Sequence, residues 1–337
     1  MSLPRRALGT SGLEITTVGF GAWAVGGGGW LYGWGPQDDQ LSTAAIRRAV
    51  DLGVNWIDTA AIYGLGHSEE VVGRAVGRLP AADRPLVFTK CGIDWDVADP
   101  MGPTRLLVTP HSVRRGIEES LRRLGLDYVD LFQIHDVDEC GNPVEEAWAE
   151  MVKLRDEGKA VAIGVSNFDP GLLARCEAIG HVDSLQPPFS LIERRAGREL
   201  IPWAHEHATG VIVYSPMQAG LLTDTFVADR VAAMPDDDWR KHDGAFKEPQ
   251  LGRNLSLRDA LRPIARRHDA SVAAVAIAWV LAWHGVTAAI VGARSPKQVD
   301  GWIGGPNVSL TEADLAEIAA AVEQTGAGKG PAVPRRS

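Results

Sequence analysis

Apolar positions along the chain follow two alternating rhythms. Short runs, apolar on both faces and rich in β-branched residues, occur at Thr17–Gly21, Asn55–Thr59, Leu86–Lys90, Tyr128–His135, Ala160–Ser166, Asp183–Gln186, Val211–Ser215 and Ala288–Gly292. Runs of this kind read as strands buried on both sides. Between them lie amphipathic stretches at Ser42–Leu52, Ser68–Arg78, Thr109–Leu124, Val144–Glu157, Asp169–Ile179, Arg198–His207 and Ser271–His284. Most open on Ser, Thr, Asp or Pro, as helices do. Such alternation requires parallel strands joined by helical crossovers, and eight strands can close without leaving a sheet edge. The predicted fold class is therefore α/β, a (β/α)8 TIM barrel, with residues 1–325 forming a single domain. A doubly wound open sheet shares the alternation, but no GxGxxG opens a helix after the first strand. The run Gly26–Gly29 leads into Trp30, Leu31 and Tyr32 and reads as a loop.

Three stretches depart from the rhythm. Arg6 to Ile15 carries two short segments around a Gly/Ser turn, the pattern of an N-terminal β-hairpin placed to plug one end of the barrel. Residues 216–270 separate the seventh strand from the next barrel helix, with a charged stretch at Pro235–Lys247 and a helical pattern at Leu255–Arg267. Connections this long are commonly functional. A second extra helix is expected at Thr311–Glu323, opened by a Thr311…Asp314 capping box, and the Gly- and Pro-rich tail 326–337 is expected to be disordered.

Composition narrows the partners. With 45% hydrophobic and 23% charged residues the chain has material for a large core, and a net charge of −9 opposes broad contact with nucleic acid or an anionic membrane. The longest apolar run, Val272–Trp283, is too short to span a bilayer, and the amino end has no signal-peptide core. The three cysteines, Cys91, Cys140 and Cys176, form no CxxC pair and suit reduced thiols in the cytoplasm. The histidines are scattered, neither His205 with His207 nor His67 has a partner set, and no metal site is expected.

Chemistry in a barrel of this class belongs at the carboxyl ends of its strands. Those ends collect Asp58 and Tyr63 after the second strand, Lys90 on the third and His135 on the fourth. A buried lysine needs an anion, which Asp58 supplies, and an ammonium beside a phenol is expected to lower the phenol's pKa. Tyr63 then serves as an acid, with His135 bonding the same substrate oxygen, an arrangement suited to protonating an oxygen that becomes an alkoxide. Taken one at a time, these residues read equally well as an ordinary buried ion pair and as packing.

The segments Asn55-Trp-Ile-Asp58-Thr-Ala-Ala-Ile-Tyr63-Gly, Thr89-Lys90, Asp130-Leu-Phe-Gln-Ile-His135, Gly164-Val-Ser-Asn-Phe168, Tyr214-Ser-Pro and Gly292-Ala-Arg-Ser-Pro-Lys-Gln298 together resemble, in order and spacing, the aldo-keto reductase superfamily. The opening Gly19-Phe-Gly-Ala-Trp-Ala-Val-Gly-Gly is most similar to its bacterial general-stress and inositol-locus branch, and more distantly to potassium-channel β subunits. The resemblance implies a nicotinamide cofactor bound without a Rossmann fold and a catalytic tetrad of Asp58, Tyr63, Lys90 and His135. It implies further that Ser166, Asn167 and Gln186 hold the carboxamide, that Tyr214 stacks on the ring, and that Ser215, Pro216, Met217, Gly220 and Leu221 run beside the pyrophosphate. Amide side chains complement a carboxamide and an aromatic face suits a planar ring.

In the segment from Gly292 through Arg294, Ser295 and Gln298, backbone amides and a guanidinium suit the extra 2′-phosphate of NADP. Asp300 stands near the acid of the family pattern, and Trp302 where an Asn is expected. Trp23 is the substrate-side candidate, while Trp30, Trp34 and Trp95 divide between pocket wall and scaffold. The expected activity is NADPH-dependent reduction of a small carbonyl compound. The alternatives are a nicotinamide-sensing regulatory subunit with slow turnover and an NAD-dependent sugar or alcohol dehydrogenase. Natural substrate, direction and oligomeric state stay open.

Overall fold

The computed structural model describes residues 2–77, 79–80 and 83–334. Eight parallel strands close into a barrel in chain order: Val18–Gly21, Trp56–Asp58, Leu86–Cys91, Val129–Ile134, Ala160–Ser166, Ser184–Gln186, Gly210–Val213 and Ala288–Gly292. Between them run the helices Asp39–Asp51, His67–Val76, Pro110–Leu124, Val144–Asp156, Pro170–Glu177, Leu200–Glu206 and Val272–Leu281. Arg78, the last residue of one expected helix, lies outside the described residues. The seventh strand ends two residues earlier than expected because Ser215 takes a left-handed conformation (φ 57°), which no strand accommodates.

The side-chain period of two along each strand sets the layers inside the barrel. Trp56, Phe88, Leu131, Ala162, Ile212 and Ala288 form one apolar interior cluster. Two residues further along, the same inward positions carry Asp58, Lys90, Gln133, Gly164, Tyr214 and Ile290. The barrel is thus apolar at its middle and polar at its carboxyl rim. Gly19 faces the Trp56 ring so closely that any Cβ there would run into the indole. The N-terminal hairpin, Arg5–Ala7 paired antiparallel with Glu14–Thr16, buries Leu8 and Ile15 in that same cluster and closes the amino end of the barrel.

Three details depart from expectation. A second small hairpin, Ile93–Asp94 with Arg105–Leu106, follows the third strand. The helical pattern at Leu255–Arg267 is two helices, Gln250–Ala260 and Arg262–Arg267, broken where Pro263 supplies no amide hydrogen. Residues 326–334 are held in place. The Lys329 and Arg194 backbones exchange bonds with the 192–194 segment and the tail, the buried Arg194 guanidinium donates to the carbonyls of Ala327 and Gly330, and Ala327 is buried. Gly328 and Gly330 allow this pairing because a Cβ on either would strike the backbone of Ile192 or Arg194. Glycines that read as signs of disorder mark a close approach; the last three residues of that tail, 335–337, lie outside the described residues. The final helix, Glu312–Thr325, opens on the expected Thr311–Asp314 capping box.

Candidate active site

Asp58 ends the second strand and Lys90 lies near the end of the third, so both point inward from the polar layer, where Lys90 is fully buried. The Lys90 ammonium donates to Asp58 Oδ1 at 2.5 Å, to the Thr59 carbonyl at 2.9 Å and to the Tyr63 hydroxyl at 3.4 Å. Tyr63 is delivered by a tight turn after the second strand. There Gly64 (φ 61°) packs backbone to backbone against Gly26, and Thr59 and Ser68 share a 2.9 Å hydroxyl contact. His135 follows the fourth strand directly, its ring 5.6 Å from the Tyr63 ring and nearly perpendicular to it. All four residues expected to be catalytic therefore meet at one place on the rim.

Sequence reasoning missed a member of this network. Asp58 Oδ2 accepts from Gln186 Nε2 at 3.0 Å and from Gln133 Nε2 at 3.4 Å, and Gln186 Nε2 also reaches Gln133 Oε1 at 3.1 Å. Gln133 was visible as a polar residue in an apolar strand, two positions before His135. The Gln186 amide nitrogen is directed at this carboxylate.

The expected lowering of the Tyr63 pKa is corrected. Burial, then the Asp58 charge, then Tyr214 push the phenol well above its ordinary value, because the Lys90 charge is already neutralised by Asp58. Burial also lowers the Lys90 ammonium, against the pull of Asp58. Tyr63 is a phenol throughout the neutral range, which is the form a proton donor needs. Burial, and secondarily the Lys90 charge, hold His135 well below its ordinary 6.5, so it is a neutral imidazole. This sets a pH dependence of stability. Below about 6.5 an unfolded His135 takes up a proton that the folded one refuses, so its contribution is complete above that pH and is lost as the pH falls. The thermal midpoint should drop more steeply between pH 6.5 and 5 in the parent than in His135→Gln; equal slopes would show that His135 titrates alike folded and unfolded.

Next to the tetrad, the ends of the fifth and seventh strands form a polar shelf. Asn167 is left-handed (φ 63°), donates from Nδ2 to the His135 carbonyl at 3.1 Å and accepts from the Tyr214 hydroxyl at 3.0 Å. Ser166 donates to the Gln186 carbonyl at 2.8 Å. Beyond Tyr214, Ser215, Gln218, Ala219 and Gly220 all have positive φ, and the turn packs on the buried Leu221 with Pro216 and Met217 alongside. Left-handed residues other than glycine cost energy and gather at ligand sites. Ser166, Asn167 and Gln186 lie beside the Tyr214 face with their donors engaged within the protein, so a carboxamide held there would exchange with these bonds.

After the eighth strand, Gly292 ends the sheet and Arg294 turns outward from the barrel to the first loop. Its guanidinium donates to Gln37 Oε1 at 2.6 Å and to the carbonyls of Trp34 and Pro36, while its own amide donates to Gln298 Oε1 at 2.7 Å. Ser295 precedes the helix Pro296–Trp302 without capping it, and Trp302 is buried as packing.

Over the tetrad, Trp23 lies nearly parallel to Tyr63 with centroids 6.0 Å apart. On its far side stacks Trp239 at 5.1 Å, a residue of the long insertion that sequence reasoning did not single out. Trp34 meets both edge-on, under the Arg240 guanidinium, which is buried and paired with Asp238 at 2.5 Å. Trp30 is buried against Ala60 and Ile62 of the turn after the second strand, and Trp95 packs against that same cluster. Among the described residues no three His, Cys, Asp or Glu side chains converge to hold a metal, and no helix is long and apolar enough to cross a membrane.

Residues 17–323 match the aldo/keto reductase family. The chain belongs to this family. Aldo-keto reductase YhdN of Bacillus subtilis (strain 168) is 33% identical over 322 residues, covering 95% of this chain and 93% of the relative. The NADH-specific methylglyoxal reductase of Escherichia coli (strain K12) is 32% identical over 331 residues, covering 94% and 98%. Among solved structures, glycerol dehydrogenase AKR11B4 from Gluconobacter oxydans superposes with a TM-score of 0.86 at 34% identity, covering 99% of this chain and 98% of that one. This aldo/keto reductase is accordingly an oxidoreductase on a (β/α)8 barrel.

Proposed function

We propose that this aldo/keto reductase reduces a small aldehyde or ketone to the alcohol, with Tyr63 as general acid. The observation that carries the reading is the Tyr63 hydroxyl held 3.4 Å from a buried ammonium at the carboxyl rim of the barrel. A dihydronicotinamide bound on the polar shelf would supply the hydride that the carbonyl carbon needs. Tyr63 donates its proton to the carbonyl oxygen, and the neutral His135 directs a ring nitrogen at the same oxygen. The phenolate left on Tyr63 accepts a hydrogen bond from the Lys90 ammonium, which Asp58 holds in position, and solvent returns the proton. Ser166, Asn167 and Gln186 would hold the carboxamide, Tyr214 the ring, and the turn through Ser215, Pro216, Met217, Gly220 and Leu221 the pyrophosphate. Trp23 would form the wall against which the substrate lies. Loss of nicotinamide absorbance on adding a series of small aldehydes and ketones tests this; binding of cofactor with negligible turnover would favour the sensing subunit instead.

NADPH is the proposed cofactor, on the strength of Arg294, with Gly292, Ser295 and Gln298 around the 2′-phosphate. Arg240 and Arg230 add to the positive field at Arg294, opposed by Asp238. A second reading, NADH, has support in the three bonds that already occupy the Arg294 guanidinium and in the NADH specificity of the Escherichia coli relative. The two readings separate on titration. If Arg294 binds the phosphate, Arg294→Ala weakens NADPH by about 10–100-fold, equivalent to about 1.4–2.8 kcal/mol, and leaves NADH nearly unchanged. Equal losses would assign Arg294 to the loop, and a parent that prefers NADH would put the dehydrogenase reading first.

A further inference from the structure

At the amino-terminal end of the barrel, opposite the tetrad, two histidines separated by 79 positions come together. His205 lies in the helix Leu200–Glu206 and His284 follows the helix Val272–Leu281. Their Nε2 atoms are 2.9 Å apart, their ring centroids 4.1 Å apart, and both residues are exposed. The approach depends on Gly285, left-handed at φ 92°, where a Cβ would stand 3.3 Å from the His205 Cβ and 3.0 Å from Ile201 Cγ2. His207 takes no part: it stacks on Trp203 and its Nδ1 bonds the Trp203 carbonyl.

From this juxtaposition we infer that His205 and His284 form a two-histidine site for a divalent transition-metal ion, with water completing the coordination. Two imidazole nitrogens each about 2.1 Å from one ion stand about 3.0 Å apart at a right angle and about 3.4 Å apart at the tetrahedral angle. The observed 2.9 Å is within a small ring rotation of either, so the choice of ion follows the general affinity order, with Cu2+ ahead of Zn2+. Without an ion the two rings share an N–H···N hydrogen bond, and an ion takes the place of that proton once both exposed rings turn their Nε2 lone pairs toward it. The bound ion ties two outer helices together across the stability face of the barrel.

The test uses full-length protein without a histidine tag, NiCl2 and CuCl2 as probes, and calorimetry with Cu2+ electron paramagnetic resonance. One ion per chain should bind, with two nitrogen couplings, and more tightly than Zn2+. His205→Gln and His284→Gln should each weaken binding by at least about tenfold, through loss of the chelate, and leave one coupling, whereas His207→Gln should behave as the parent. The ion should raise the thermal midpoint of the parent and of His207→Gln, and by less in the two pair variants. Absence of binding, a preference for Zn2+, undiminished binding in either pair variant, or loss in His207→Gln would overturn the site. None of these residues touches the proposed reductase site, so carbonyl reduction should be unchanged in all three variants, and the outcome is independent of that function.

Discussion

Tyr63→Phe should lower the rate of carbonyl reduction by about 10²–10⁴-fold, the usual worth of a positioned proton donor, with cofactor affinity close to that of the parent. The phenol hydroxyl is the single group removed. Among the described residues its one hydrogen-bond partner is the Lys90 ammonium at 3.4 Å, a contact long enough that its loss leaves Lys90 bonded to Asp58 and Thr59. The aromatic ring remains to pack on Trp23, so the fold should be unaffected. Rates with a reactive small aldehyde, together with fluorescence titration of NADPH and NADH, check it. Turnover near the parental level would remove Tyr63 from the role of acid and with it the proposed mechanism.

Lys90→Met should cost the fold about 3–5 kcal/mol, the usual penalty for stranding the partner of a buried ion pair, and should also suppress reduction. Both groups are almost wholly enclosed, so solvent screens neither. Methionine fills a similar volume but leaves Asp58 with only the Gln186 and Gln133 amides, and the Thr59 carbonyl with no ammonium donor. The thermal midpoint should fall by roughly 4–7 °C. The double variant Asp58→Asn/Lys90→Met should recover much of that stability, because no net charge then remains buried, and should recover none of the activity. A single variant as stable as the parent would mean that the pair is already neutral in the folded protein.

The barrel was legible in the chain because burial on both faces makes each parallel strand nearly continuous in apolar residues. Crossover helices must also present one apolar stripe, and both patterns are local. The hairpin plug was legible for the same reason: Leu8 and Ile15 flank a Gly/Ser turn. The four residues at the rim were legible as chemistry at strand ends, and the resemblance tied them together. What misled was chemistry whose sign depends on surroundings. An ammonium beside a phenol lowers the phenol's pKa only if its charge is unspent, and here Asp58 takes it up first. In the tail, glycine read as freedom, whereas Gly328 and Gly330 serve close packing against Ile192 and Arg194.

The sequence by itself determined the alternation of elements, the closed parallel barrel and the identity of the polar residues at its rim. These follow from periodicities of two and 3.6 residues that each short segment carries alone. Only the tertiary structure decided which distant residues meet. It brought Gln133 and Gln186 onto Asp58, Trp239 of the insertion onto Trp23, the Arg294 guanidinium onto the loop at Trp34 to Gln37, and His205 against His284. Each of these contacts spans tens to hundreds of positions and depends on how crossovers stack around the closed barrel. No local pattern encodes that geometry, because the energy that selects it is burial summed over the whole core.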